Sequence, residues 1–288
     1  TYFDRDGGLF EGDAQLHDFP LSLLNGFMAG TDVALKGKAA GELSVTGSLD
    51  RPVLNGSLDL DSAHIYSDVY GFDFRTDERA LELNDSRLLF SDYKLYSTGK
   101  EPLVLNGVFD MSDFARMSMD FDMKAQNFEL INTGKKAQSL VFGKVYANYL
   151  GTLKGTTDNL SIRGKLEVLD RTDMTYILKD SPLSVDDRLN NLVEFVSFSD
   201  TTQHTLAKPA PEGSFDLTLG ISISDAARFH CKLSDDGQSY VDLEGGGDLT
   251  LRMTPQGEMR LTGRFTTNSG EMKYALPIIP LKTFKLTQ

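Results

Sequence analysis

Residues 160–168 read Leu-Ser-Ile-Arg-Gly-Lys-Leu-Glu-Val. Leu160, Ile162, Leu166 and Val168 share one parity, and Ser161, Arg163, Lys165 and Glu167 fill the other. A period of two, apolar on one face and polar on the other, is the signature of a strand with one side out of water. The pattern recurs. Leu217, Leu219, Ile221 and Ile223 alternate with polar or small residues, as do Leu249, Leu251 and Met253, and Met117, Met119, Phe121 and Met123. Turn signals separate these runs: Asp50-Arg51-Pro52, residues 98–102, residues 156–159, Asp235-Asp236-Gly237 and Pro255-Gln256-Gly257. Evenly spaced strands without intervening helices argue for an all-β solenoid, barrel or sandwich and against βαβ units.

Gly164 sits inside its run, on the apolar parity. Three other segments place a glycine the same way: Gly56 among Leu54, Leu58 and Leu60; Gly107 among Leu103, Leu105 and Phe109; and Gly263 among Met259, Leu261 and Phe265. Their starts are about 50, 57 and 99 residues apart, a loose internal repeat. A missing side chain lets a strand bend or lets another wall approach. Glycines aligned from strand to strand would curl the sheet into a trough. Asn55-Gly56 and Asn106-Gly107 also read as hairpin turns on their own, and that alternative stays open at this point.

Helical signal is scarce. Ser184 caps a predicted insert over 184–198, with Asp186 and Asp187 in its first turn and Val185, Leu189, Leu192, Val193 and Val196 as its stripe. A shorter candidate runs from Pro20 through Leu21, Leu24, Phe27 and Met28 to a stop at Gly30. The expectation is one elongated all-β domain over 1–288, an open solenoid-like groove with a hydrophobic interior and one or two short helical inserts.

Composition narrows the function. The 288 residues include 29 basic and 42 acidic side chains, for a net charge of −13, and 40 % of them are hydrophobic. That surface repels nucleic-acid phosphates. One cysteine excludes a disulfide framework, and no apolar run approaches the roughly 18 residues that cross a bilayer. The sequence lacks a start Met and stops at Gln288 within a strand-like stretch, so it reads as a piece of something longer. The apolar parity is rich in Leu, Ile, Met and Phe. In a trough it makes an apolar stripe larger than a monomer normally exposes. Acyl chains would fill such a stripe without any specific polar contact. About 25 strands at ~4.8 Å spacing would make a conduit on the order of 100 Å long.

The stretch GELSVTGSLDRPVLNGSLDLDSAHIY (41–66) resembles the repeat of the TamB family, within the AsmA-like group, and segments 142–176 and 213–276 echo it. The order of the blocks is similar to the carboxy-terminal region of these proteins in the form that Bacteroides-type bacteria carry. The resemblance implies a U-shaped β-taco with a hydrophobic interior in a protein anchored to the inner membrane and crossing the periplasm. It further implies phospholipid movement to the outer membrane and assembly of outer-membrane β-barrels with a TamA- or BamA-like partner. The anchor is expected outside these residues. The family brings no catalytic residues and no cofactor.

On that reading the groove lining is Leu54, Leu58, Leu60, Leu103, Leu105, Phe109, Leu160, Ile162, Leu166 and Val168 in the first part. It continues through Leu217, Leu219, Ile221, Ile223, Leu249, Leu251, Met259, Leu261 and Phe265, with Gly56, Gly107, Gly164 and Gly263 as bends. Other chemistry is thinly supported. His17, His64, His204 and His230 lack metal-ligand spacing. Cys231 shares the parity of Phe229 and reads as a core residue. Asp4-Arg5-Asp6-Gly7-Gly8 lacks the third acidic position and the closing Glu of a calcium loop. Two rivals to the conduit remain: a scaffold that adds strands at a sheet edge, and a carbohydrate-acting enzyme with paired carboxylates, which the absence of Trp disfavours.

Overall fold

The computed structural model describes residues 2–3, 9–28, 32–48, 51–178, 214–234, 237–256, 258–274 and 282–287. The predicted insert at 184–198, the Asp4–Gly8 stretch and His204 lie outside them. Strand accounts for 74 % of the chain and helix for 3 %, so the all-β expectation holds.

Among the described residues, seventeen strands form one sheet. The first wall comprises β1 (Tyr2–Phe3), β2 (Leu9–Pro20), β3 (Ala34–Ser48) and β4 (Arg51–Ser67). The middle holds β5 (Phe72–Thr76), β6 (Leu81–Asn84), β7 (Arg87–Tyr96), β8 (Leu103–Asp110) and β9 (Ser118–Thr133). Then come β10 (Val141–Thr156), β11 (Asn159–Val168), β12 (Asp173–Ile177), β13 (Ser214–Ile223) and β14 (Arg228–Lys232). β15 (Tyr240–Met253), β16 (Met259–Tyr274) and β17 (Lys282–Thr287) complete it. Short strands share positions: β5 and β6 both pair with β4, β11 and β12 with β10, and β13 and β14 with β15. Roughly thirteen steps at ~4.8 Å therefore make the sheet on the order of 60 Å long. This is shorter than the sequence suggested, because strands of 14 to 17 residues use up chain that shorter strands would have spread along the axis.

Most sequence neighbours pair antiparallel, several of them through tight turns. Asp85 and Ser86 join β6 to β7 with φ of 47° and 61°, two successive positive values that suit the twist of a two-residue hairpin. The exception is one parallel step, where β11 pairs with β13 and β12 with β14. The chain leaves β12 at one rim and enters β13 at the opposite rim, the long connection that parallel pairing demands.

The sheet bends at bulges. Four of the register shifts fall at Leu16/Phe19, Lys36/Lys38, Phe90/Tyr93 and Ala147/Tyr149. Each holds a residue at positive φ: Asp18 (51°), Ser62 (49°), Asp92 (47°) and Asn127 (49°). An extra residue there sharpens the local twist. Side chains fix two of these bulges, since Asn106 Oδ1 accepts the Asp92 amide at 2.8 Å and Asn148 Oδ1 accepts that of Asn127 at 2.7 Å. Asn106 is thus a strand residue holding a bulge, and Asn55-Gly56 likewise lies within β4. The hairpin-turn reading of both Asn-Gly pairs is excluded.

The short helical candidate forms a 3-10 helix, Leu21–Met28, entered directly from Pro20 of β2. Leu21 is buried against Ala39 and Ala63. The Asn25 side chain brackets Leu35, accepting its amide at 2.7 Å and donating to its carbonyl at 3.1 Å. Leu24, placed in the apolar stripe by sequence, is exposed.

Candidate functional site: the apolar face

Residues paired across a strand boundary point to the same side, so the register traces rows across the sheet. One row runs Phe90, Gly107, Phe121, Leu153, Ile162, Leu217, Met253, Met259. The next runs Tyr93, Leu105, Met123, Gly151, Gly164, Leu219, Leu251, Leu261. A third holds Leu95, Leu103, Ala125, Tyr149, Leu166, Ile221, Leu249 and Gly263. Val168, Ile223, Gly247 and Phe265 follow on one side of these. On the other side lie Gly56, Leu83, Leu88, Phe109, Met119, Gly155 and Leu160. Leu54, Leu58 and Leu60 alternate with Gly56 along β4. The register thus gathers all the residues expected to line the groove on one face. The opposite face carries the ion pairs, such as Lys154–Asp120 at 2.7 Å and Arg163–Asp216 at 3.4 Å.

That face is not uniformly open. Between β5 and β9 it is packed side chain to side chain: Leu81, Leu83, Tyr93, Leu95, Phe121 and Phe128 are all buried, Leu83 at 1 % exposure. The sheet curls enough there for Phe74 on β5 to meet Phe128 on β9, with ring centroids 5.2 Å apart. A backbone bridge ties the rim above them, where Leu140 and Val141 amides donate to the Val69 carbonyl at 2.8 and 3.1 Å. Lys136 also pairs with Asp68 at 2.6 Å. From β10 to β16 the same face is mostly half-buried, and at its far edge Met259 and Leu261 are 69 % and 57 % exposed. The expected trough, uncovered along its whole length, is therefore interrupted in the middle, because the bulges of β7 and β9 fold that section onto itself. Burial raises the pKa of the Tyr93 and Tyr149 hydroxyls and of the Cys231 thiol, all facing this side.

The glycines act differently from the sequence expectation. Gly56, Gly107, Gly164 and Gly263 fall on four successive rows, not in line, and a register shift adjoins only Gly107, between its partner Phe90 and Tyr93. Aromatic rings lie over two of them. Phe90 and Phe121 meet edge to face above Gly107 at 5.0 Å, and the Tyr149 ring lies beside Gly151 and Gly164. Gly107 has φ +153°, and a Cβ on it would strike the Asp120 carbonyl. The bulge residues Asp92 and Asn127 were missed. Asn at a polar position facing a positive-φ partner has no signature along a single strand.

A concavity of about 680 Å³ opens on the polar face beside Leu150, Lys165 and Gly220. It is a shallow valley between twisted strands, separate from the apolar side. Among the described residues no three His, Cys, Asp or Glu side chains converge as metal ligands. No helix among them is long and apolar enough to cross a membrane.

A single curled sheet with one continuous apolar face, part packed and part accessible, defines a β-groove protein. The model of the TamB C-terminal domain matches residues 91–288, and the chain belongs to the TamB family. No curated protein and no solved structure matches it. The family belongs to the translocation and assembly module, which serves outer-membrane assembly; it is a transport and assembly component rather than an enzyme. It spans the periplasm and works with an outer-membrane partner of TamA type.

Proposed function

We propose that this chain is a section of a periplasmic conduit that carries phospholipid acyl chains between inner and outer membranes, in a protein held to the inner membrane by segments outside these residues. One observation carries the reading: the apolar rows continue across β10–β16 while remaining half exposed. A contiguous apolar surface of that extent calls for an apolar occupant. Acyl chains suit it because the rows across β10–β16, apart from the Tyr149 hydroxyl, present no polar side chain for them to satisfy. The acidic outer face stays hydrated. No cofactor is needed.

Protein purified without detergent should carry phospholipid detectable by mass spectrometry, and Ile162→Asp or Leu261→Asp should lower that load and slow transfer between membranes while leaving the circular dichroism unchanged. Lipid-free protein, or variants with full load and normal transfer, would overturn the reading.

A scaffold role in outer-membrane β-barrel assembly with a TamA- or BamA-like partner is the second reading. It is favoured by the edge of β16, where β17 pairs only with Ser269–Tyr274. Residues 259–267 carry no strand on that side among the described residues, and such an edge accepts an added strand. Crosslinks from this edge to a barrel strand would support it.

A further inference from the structure

We infer that the aromatic cluster of β5–β9 is a gate within the groove, so that acyl chains lodge in the β10–β16 section and pass further only when the rings turn aside. The inference rests on the conduit reading and adds to it a regulated constriction. On one side of the cluster, Leu43, Val45 and Leu54 are half-buried; on the other, Leu160, Ile162, Leu217 and Leu251 are half-buried too. Between them Tyr93 is 3 % exposed, Phe121 6 % and Phe128 2 %. Two ring pairs close the lane, Phe74 with Phe128 at 5.2 Å and Phe90 with Phe121 at 5.0 Å. Protein interiors packed this way leave no void wide enough for an alkyl chain.

The plug is made of groups suited to moving. Phe90 and Phe121 sit on strands that flank Gly107. Turning their rings aside breaks no hydrogen bond and leaves bare backbone at Gly107 as the floor of an open lane. The bridge between Val69 and Leu140 holds the rim above the cluster, so the rings, rather than the walls, are free to shift. Aromatic contacts of this edge-to-face kind add little beyond the burial of the rings themselves, a loss that an arriving acyl chain can offset by its own burial.

The test uses the full-length protein in its own cells, with the photo-crosslinking residue benzoylphenylalanine placed at Leu251 in the open section or at Leu105 inside the gate. Phospholipid adducts are expected at 251, and about tenfold fewer at 105. Phe90→Ala with Phe121→Ala should raise the yield at 105 close to that at 251; Phe90→Leu with Phe121→Leu does the same to a lesser degree and guards against misfolding. Equal adducts at both positions in the otherwise unchanged protein overturn the gate and leave the conduit standing. An unchanged ratio in both double variants also overturns the gate. Absence of adducts at both positions overturns the conduit, and the gate with it.

Discussion

Phe90 and Phe121 belong to strands that do not touch, yet their rings meet at 85° with centroids 5.0 Å apart. The strand between them contributes Gly107 at that row. A Cβ on Gly107 would run into the backbone of β9 at Asp120 and Phe121.

Gly107→Ala should therefore be costly twice over, through positive φ and through collision with the Asp120 carbonyl. A loss of about 2–4 kcal/mol is expected in urea unfolding. Gly220 is the matched control, because nothing lies within 4 Å of a Cβ there. Gly220→Ala should be neutral or stabilising by up to about 1 kcal/mol.

Truncations along the apolar face should report how it is packed. Leu83 is 1 % exposed, whereas Leu261 is 57 % exposed. Leu83→Ala is expected to cost about 2–5 kcal/mol, and Leu261→Ala less than about 1 kcal/mol. Equal losses at the two positions would mean that the β16 end is covered in solution.

The bulge at Asp92 depends on a side chain. Asn106→Ala removes the acceptor that takes its amide at 2.8 Å, and a loss of about 1 kcal/mol is expected from thermal unfolding. Because the bulge shapes the curl behind Phe90, near-ultraviolet circular dichroism should change as well.

Acid should loosen the outer face. Burial pushes the Asp73 carboxyl up, but hydrogen bonds from Lys36 at 2.6 Å and His64 at 2.5 Å outweigh it and hold the group below its ordinary value. Asp77 and Asp110 are held down too. A carboxyl lowered in the fold contributes stability above its unfolded value, near pH 3.9, and loses it as pH falls through the folded value. Stability should be flat above about pH 5 and fall below about pH 4, and Asp73→Asn should shallow that acid limb. An acid limb unchanged in Asp73→Asn would refute the assignment.

Much of this was legible in residues 160–168. Alternation at period two names a strand and its inward side without knowledge of its neighbours, so Ile162 and Leu217 were placed on one face before any register was known. Longer-range features were not legible. Whether Phe121 is buried and Leu261 bare depends on how sharply the sheet curls. The curl is set by extra residues such as Asp92 and Asn127, which count only against a partner strand. The glycines misled for the same reason: each occupies the apolar parity, but their alignment from strand to strand is a property of register.

The parallel step between β11 and β13 has a consequence for how the molecule assembles. From β1 to β12 each new strand docks beside one just laid down, a zipper whose closing loops are short and entropically cheap. At β13 the zipper must restart from the opposite rim, after a span of more than thirty residues. The last five strands should thus join as a late, separable unit, and refolding should show a second, slower phase that a chain ending after β12 lacks.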